Sequence, residues 1–391
     1  MDSTNARCFA PCPRGLEQVL ERELTDLGIQ VSGRTEGGVS FSGSRETLYR
    51  ANLESRIASR ILKEIAQVPY RNEHDVYAAA FALPWQQWFS SSQSIKVKVS
   101  AKQCPLKSLD FVTLRIKDAV CDKFMQVQRA RPNVNTQAPD IRIDAFLDAT
   151  HLTMYLDTSG EPLFKRGIRQ STVDAPLREN LAAGILVLAG WNGTTPLLDP
   201  LCGGGTIPLE AAMMARRMAP GLGRHFAFER FSDFDQSLWK TVLKQAEAKQ
   251  LMASPIPILA SDRDPRAVQI AGSHFRRAGV DQDIVLAQED LFEIIPPGAP
   301  GTLIMNPPYG VRLGTPSDLD EFYPRLGTWL KTRCAGWRAY LFTGDLRAPK
   351  LIGLAPTRRT PLFNGALECR LYEFLIVQGG ARRRLNQPPQ T

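Results

Sequence analysis

The sequence has little of what metal and disulfide sites require. Its 391 residues include seven scattered cysteines and only four histidines, and no C-x-x-C pair occurs. Zinc sites need clustered cysteine and histidine ligands, and disulfide frameworks need closely spaced cysteines. We therefore expect reduced, mostly buried thiols and no bound metal.

Long apolar runs are also lacking. No stretch is long and apolar enough to cross a bilayer, and the polar start, with Asp2 and Arg7, is unlike a signal peptide. We therefore expect a cytoplasmic protein that does not contact a membrane. Lysine and arginine outnumber aspartate and glutamate by 48 to 40, and this net charge of +8 is compatible with a polyanionic partner.

The first 157 residues mix helical and strand patterns. Residues 94–100 alternate with a period of two, which predicts a strand with Lys96 and Lys98 on its outer face. A helix is predicted at 108–126 and two paired strands are predicted within 141–156. These patterns indicate α+β modules without an obvious active site.

After a segment rich in Gly, Pro and Ser, apolar strand-like runs alternate with helix-like stretches. This alternation predicts a parallel, doubly wound α/β sheet. Two later runs flank Asn364-Gly365, a strong hairpin signal, so an antiparallel strand pair should close the sheet. The five alternating runs lie at 196–199, 256–262, 284–288, 302–305 and 338–342.

The first run leads into Asp-Pro-Leu-Cys-Gly-Gly-Gly-Thr at 199–206. Open α/β sheets bind ligands at the carboxyl ends of their strands, and glycines there let a ligand approach the backbone. The motif differs from the dinucleotide fingerprint and lacks the Lys-Ser/Thr of a P-loop, so a phosphate cradle is disfavoured. Cys202 is expected to pack and not to act as a nucleophile. The predicted ligand contacts are Asp199, Pro200, Gly203, Gly204, Gly205 and Thr206.

Carboxylates follow the next two runs. Asp262 ends the second run, where it is placed to accept both ribose hydroxyls of a nucleoside. Asp264 precedes Pro265 and is expected to cap the helix that begins there. Asp290, followed by Leu291, comes after the third run and is placed to accept from an adenine amine.

The fourth run leads into Asn306-Pro-Pro-Tyr309. An exocyclic amine is a poor nucleophile because its lone pair is delocalised into the ring. The amide oxygen of Asn306 and the carbonyl of Pro307 can accept its two hydrogens, and Pro307 and Pro308 fix the backbone so that these acceptors converge. Tyr309 can stack on the base. The motif therefore predicts methylation of an amino group on a base.

Together these motifs resemble the class I methyltransferases that carry an Asn/Asp-Pro-Pro-Tyr motif and act on amino groups. The glycine motif is more narrowly similar to that of the THUMP-domain RNA guanine-N2 methyltransferases. Within that family the resemblance is greatest to the enzymes of bacterial 23S rRNA that are not fused to a second methyltransferase. Further similar segments lie at 12–17, 164–169, 175–180 and 225–231, with Trp239.

The resemblance implies S-adenosylmethionine as cofactor. Asp199 and residues 203–205 would surround its methionine part, Asp262 would hold the ribose and Asp290 the adenine, and residues 306–309 would receive the target base. It also implies a Rossmann-like catalytic sheet preceded by two smaller modules. The implied boundaries are a ferredoxin-like module at 1–65, a THUMP domain at 66–157, a linker at 158–173, a methyltransferase domain at 174–379 and a basic, disordered tail at 380–391.

An RNA substrate requires cations that contact phosphates, and it must present its target base unpaired or flipped out. The expected partner is 23S rRNA or a large-subunit assembly intermediate. A tRNA guanine-N2 methyltransferase, a DNA adenine-N6 methyltransferase and a non-catalytic RNA-binding or assembly factor are the alternatives. The candidate phosphate contacts are Lys96, Lys98, Arg115, Lys117, Lys165, Arg166 and Arg169.

Overall fold

The computed structural model describes residues 5–168, 177–298, 300–307 and 316–377. These residues form two compact units that do not follow chain order, and each unit contains one seven-stranded sheet. The first unit takes the described residues within Met1–Cys12, Leu20–Leu163 and Gly221–Ala246, and the second takes those within Pro13–Val19, Phe164–Pro220 and Glu247–Thr391.

The first sheet consists of β1 (Ala6–Pro11), β2 (Gln30–Thr35), β3 (Gly38–Gly43), β4 (Leu62–Pro69), β5 (Ile95–Ala101), β6 (Ile141–Leu147) and β7 (His151–Asp157). Their order is β2-β3-β1-β4-β7-β6-β5, and β5 and β6 form the parallel pair among antiparallel neighbours. Strand β4 pairs with β1 on one side and with β7 on the other. One continuous sheet therefore runs through the two small modules, and their expected boundary at 65/66 falls within β4.

The second sheet consists of β8 (Leu197–Asp199), β9 (Ile258–Asp262), β10 (Ile284–Gln288), β11 (Thr302–Met305), β12 (Arg338–Thr343), β13 (Arg358–Asn364) and β14 (Leu367–Leu375). Their order is β10-β9-β8-β11-β12-β14-β13, with β14 antiparallel to both of its neighbours and the other pairs parallel. Gly365 forms the hairpin turn with a φ of 67°. The sheet is thus the predicted doubly wound one, closed by an antiparallel pair.

Ten helices connect the strands within the described residues: α1 (Glu17–Asp26), α2 (Arg45–Glu54), α3 (Glu73–Ala82), α4 (Leu109–Gln128), α5 (Glu179–Leu188), α6 (Thr206–Ala215), α7 (Gln236–Ala248), α8 (Pro265–Ala278), α9 (Pro316–Arg333) and α10 (Ala348–Ile352). Two 3-10 turns lie at Trp85–Gln87 and Ala227–Arg230. Side-chain caps begin several of these helices; Ser108, for example, accepts from the N–H of Phe111 at the start of α4. In the described part of the chain, no helix is both long and apolar enough to span a membrane.

Burial on both faces explains why the central strands β8, β11 and β12 of the second sheet are continuous apolar runs. All four residues of β11 are buried, as expected for a central parallel strand covered by helices on both sides. Leu303 and Leu341 of adjacent strands pack in one core with Leu330 of α9. This rigid centre fixes the residues that follow β11, including Asn306.

Candidate active site

Four neighbouring strands of the second sheet bring polar side chains to its carboxyl edge. β8 ends at Asp199 and β9 at Asp262, whereas Asp290 follows β10 and Asn306 follows β11. The strand order β10-β9-β8-β11 means that the chain changes its direction of strand addition between β8 and β11. Such a switch point is where open α/β sheets bind ligands.

Asp262 holds the glycine turn against the end of β9. Its Oδ2 accepts from the N–H of Gly203 at 2.9 Å, and its Oδ1 accepts from the N–H of Asp264 at 3.0 Å. Each carboxylate oxygen can accept more than one hydrogen bond, so acceptor capacity remains for hydroxyl groups of a ligand. Asp264 caps α8 as predicted, because its Oδ1 accepts from the N–H of Arg266 at 2.9 Å.

Two glycines of the turn are required for different reasons. Gly203 and Gly205 both have a left-handed backbone, with φ of 51° and 78°. A Cβ on Gly205 would lie 2.6 Å from the ring of Phe275 and 3.0 Å from Ala271, so this glycine lets α8 pack on the turn. A Cβ on Gly203 would meet no described atom within 4 Å. The sequence predicts that all three glycines make room for a ligand. Open space lies beside Gly203, whereas the lack of a Cβ on Gly205 allows helix α8 to pack on the turn.

The turn has a further contact that its motif does not predict. His274 of α8 is 2% exposed, and its Nδ1 lies 2.9 Å from the carbonyl oxygen of Gly204. Because a carbonyl oxygen can only accept, Nδ1 must carry the hydrogen. Nε2 of the same ring is buried and has no hydrogen-bond partner among the described residues. The sequence around His274 gives no sign of this role, since the contact joins residues 70 positions apart.

Asp199 is deeply buried at the end of β8. It is 1% exposed, and its Oδ1 accepts from the N–H of Leu201 at 3.2 Å. Burial raises the pKa of this carboxyl to about 8, the hydrogen bond from Leu201 opposes that rise, and the nearby charge of Asp262 adds to it. The neutral form of Asp199 therefore predominates at neutral pH when no cation lies against it.

The loop after β10 is bonded to the loop after β9. The N–H of Glu289 donates to the carbonyl of Asp262 at 3.1 Å, and Oδ1 of Asp290 accepts from the N–H of Phe292 at 2.9 Å. Leu291 is 3% exposed and belongs to the apolar core. The structure thus places Asp290 at the predicted edge, and contact with an adenine stays a prediction.

Asn306 presents an unsatisfied acceptor directly after β11. Its Oδ1 is buried and has no hydrogen-bond partner in the described part of the chain. A buried acceptor without a partner costs roughly 1–3 kcal/mol, so it calls for an explanation. Pro307 is buried beside it, and Pro308 and Tyr309 lie outside the described residues.

None of the seven cysteines forms a disulfide, and Cys104 alone among them is not fully buried. Burial raises the pKa of Cys202 well above the usual value for a thiol, and the charges of Asp199 and Asp262 act in the same direction. This fits the packing role expected for Cys202. Over the residues that the structure describes, no group of three or more Cys, His, Asp and Glu could hold a metal.

Of the candidate phosphate contacts in the first unit, Lys98 is exposed and three others have partners. Lys96 donates from Nζ to the carbonyl of Thr136 at 2.6 Å, and Lys117 pairs with Asp118 at 2.6 Å. Arg115 lies over the ring of Tyr77, 4.3 Å from its centroid. Lys165, in the second unit, is exposed, and Arg169 lies outside the described residues. Their contacts with RNA stay predictions.

Arg166 must be reassigned. It is 4% exposed, and its Nε donates to Oε1 of Glu210 at 3.1 Å, with the Glu210 side chain also buried. A guanidinium buried against a carboxylate cannot reach an RNA phosphate from the surface. Arg166 instead ties the segment that enters the second unit to α6, the helix that follows the glycine turn.

Three family models match the chain in succession. Residues 7–62 match the RlmL ferredoxin-like domain, residues 70–157 match the THUMP domain, and residues 166–373 match a model described as RMKL-like, methyltransferase domain. The chain belongs to the RMKL-like methyltransferase family. The predicted fold class, a Rossmann-like methyltransferase sheet preceded by ferredoxin-like and THUMP modules, is thereby confirmed.

Two curated members of this family have similar sequences. A protein of Synechocystis sp. named as an RNA methyltransferase is 37% identical over 95% of this chain and 97% of its own length. The ribosomal RNA large subunit methyltransferase K/L of Syntrophotalea carbinolica is 38% identical over 95% of this chain. This chain spans 53% of that protein's length.

A similar solved structure contains a ligand related to the predicted cofactor. The crystal structure of SMU.472, described as a methyltransferase complexed with S-adenosylhomocysteine, has a TM-score of 0.87 and 29% identity over 97% of this chain and all of its own. The predicted cofactor, S-adenosylmethionine, is confirmed, and the chain is a methyltransferase that uses it. The open space beside Gly203 and the acceptors of Asp262 fit such a group.

Proposed function

We propose that this methyltransferase acts on the exocyclic N2 amine of a guanine in 23S rRNA. The observation that carries the proposal is the buried Oδ1 of Asn306 at the switch point of the sheet, which has no hydrogen-bond partner among the described residues. An amide oxygen held there can accept a hydrogen from an amino group and reduce the delocalisation of its lone pair. The carbonyl of Pro307 and the ring of Tyr309 would hold the second hydrogen and the face of the base.

The other residues of the edge would hold the cofactor, which supplies an electrophilic methyl group. Asp262 would bind the ribose hydroxyls, Asp290 the adenine amine, and Asp199 with the backbone of residues 203–205 the methionine part. Pro200, Thr206 and Leu291 would complete the walls of this site. Asp199 would then carry its negative charge, because a bound ammonium group lowers the pKa that burial has raised.

The choice of 23S rRNA is supported by relatives named as large-subunit rRNA methyltransferases and by the THUMP match at 70–157. The exposed Lys98 and Lys165, together with Lys96, Arg115, Lys117 and Arg169, would contact phosphates. Their summed effect predicts RNA binding that weakens steeply as salt is raised.

The decisive experiment supplies radiolabelled S-adenosylmethionine with undermodified 23S rRNA, tRNA and DNA in parallel. We expect label in 23S rRNA, and we expect nuclease digestion to release it as N2-methylguanosine. Label confined to tRNA would exclude the rRNA assignment, and label on adenine would exclude the guanine assignment. No label in any substrate, with cofactor still bound, would favour a non-catalytic factor.

A further inference from the structure

A cavity of about 370 Å³ opens in the first unit, on the same unit as the THUMP match. The start of β1, the start of α2 and strand β4 line it, and the 3-10 turn at Ala227–Arg230 and the residues after it close one side. All the lining residues belong to the first unit. None of the roles assigned above uses them.

Charged side chains from separate elements converge in this cavity. NH2 of Arg45 and Nζ of Lys63 each lie 3.6 Å from the same oxygen, Oδ2 of Asp233. Arg7 pairs with Glu64 beside them. The cavity therefore holds three cations and two carboxylates. The side chains of Arg45, Lys63 and Asp233 are 31%, 23% and 36% exposed, so solutes can reach them.

Two cations directed at one oxygen are suited to a backbone phosphate of RNA, which carries one negative charge as a carboxylate does and presents two unbridged oxygens to the cations. The cavity is also much larger than a phosphate and falls in the size range of small-molecule sites. Part of its wall is apolar and includes Leu48, Ile65, Tyr49 and Phe228; the rings of the last two stack at 4.3 Å and are each only 2% exposed. A phosphate attached to a sugar and a base would use both parts.

We propose that this cavity binds one nucleotide of single-stranded RNA, with its phosphate between Arg45 and Lys63 in the place that Oδ2 of Asp233 now occupies. The ribose or base would lie toward Tyr49 and Phe228. The site is distinct from the catalytic edge and adds an anchoring point for the substrate. It rests on the proposed function in one respect only, namely that RNA is the substrate.

The test compares RNA affinity in variants whose charge changes have opposite signs. The double variant Arg45→Gln/Lys63→Gln should bind an undermodified rRNA fragment about tenfold more weakly, as expected for a lost charge-assisted contact. Its salt dependence should flatten, with a slope smaller by about 0.7 for one single-strand phosphate. Asp233→Asn removes the competing carboxylate and should bind the fragment more tightly than wild type.

The matched control is Lys102→Gln, because Lys102 is an exposed cation of the same unit that pairs with Glu36 outside the cavity. It should change RNA affinity much less. Guanosine monophosphate should compete with the fragment in wild type and in Lys102→Gln, and more weakly in the double variant. Inorganic phosphate alone should compete less well than the nucleotide.

Several outcomes would overturn the proposal. Equal RNA affinity in wild type, the double variant and Asp233→Asn would do so, and so would lower melting temperatures without any change in affinity. Weaker binding by Asp233→Asn would show that its carboxylate supports the fold and does not compete with a ligand. Binding of S-adenosylhomocysteine, expected to be unchanged throughout, separates these results from a failure of the methyltransferase itself. Wild type that binds the cofactor but no RNA would refute the proposed function together with this site.

Discussion

The polar groups on the two sides of the carboxyl edge differ in their hydrogen bonding. On the side of β8 and β9, the carboxylates of Asp199 and Asp262 accept hydrogen bonds from the backbone of the loops they adjoin. On the side of β11, the amide oxygen of Asn306 is buried without a described partner. Hydrogen bonds within the protein thus fix the side of β8 and β9, the organised side, whereas the side of β11 has an acceptor that is available to a ligand.

This difference matches two tasks. A cofactor that binds in every cycle gains from a site whose geometry is already fixed, because little ordering is then required on binding. An acceptor for the reacting amine contributes most to turnover if its bond forms only with the substrate. Substitutions on the side of β8 and β9 should therefore weaken cofactor binding, whereas substitutions on the side of β11 should lower turnover.

The largest effect is expected from Asn306→Ala. Turnover should fall by about 10²–10³, the usual loss when one oriented hydrogen-bonding group is removed from a catalytic site. Affinity for S-adenosylhomocysteine, measured by calorimetry, should stay close to wild type because Asn306 makes no bond to the glycine turn. Asn192→Ala, on a surface loop of the same unit, is the control and should leave turnover unchanged. Normal turnover in Asn306→Ala would remove the basis of the proposed function.

Local patterns in the sequence predicted the catalytic sheet and the positions of its site residues. Each strand from β8 to β12 is a short apolar run, and each motif stands where such a run ends. The environment of those residues could not be predicted in the same way. Asp199 has a raised pKa because of burial, and Arg166 is paired with a glutamate 44 positions away. Both facts depend on tertiary packing.

The first unit was predicted less completely for the same reason. Strand β4 pairs with β7, and the pairing begins at Leu62 and Asp157. The stretch of chain between these two residues makes up more than half of the segment Leu20–Leu163. The segment Gly221–Ala246 joins this unit although it lies within the methyltransferase match. Periodicity reports the face that a segment buries, but it carries no information about a distant partner.

A smaller effect is expected from substitutions of His274, which contacts the glycine turn on the organised side. His274→Leu removes the donor to the carbonyl of Gly204, and affinity for S-adenosylhomocysteine should fall about fivefold, as for one net hydrogen bond of ~1 kcal/mol. His274→Asn keeps a donor near the position of Nδ1 and should restore most of that affinity. The KM for RNA and the turnover with saturating cofactor should change little in either variant.

A neighbouring substitution provides the control for His274. Ser273→Ala removes only a bond to the carbonyl of Ile270 within α8 and should leave cofactor affinity unchanged. If His274→Leu lost stability but bound cofactor as wild type does, the ring would support the helix and would not position the turn. A raised KM for RNA would place its effect on the other side of the edge.

An effect of the same size, which probes the organised side without a substitution, is expected from the pH dependence of cofactor binding. The folded protein holds the proton of Asp199 more tightly than the unfolded chain, with a pKa of about 8 against 3.8. This carboxyl therefore stabilises the ligand-free fold most at low pH, and that contribution is lost as pH rises toward 8. An ammonium group requires the ionised form, so affinity for S-adenosylhomocysteine should rise about fivefold between about pH 7 and pH 8, following the ionised fraction. Asp199→Asn should bind more weakly and without this rise, whereas a rise that persists in Asp199→Asn would assign the titration to another group.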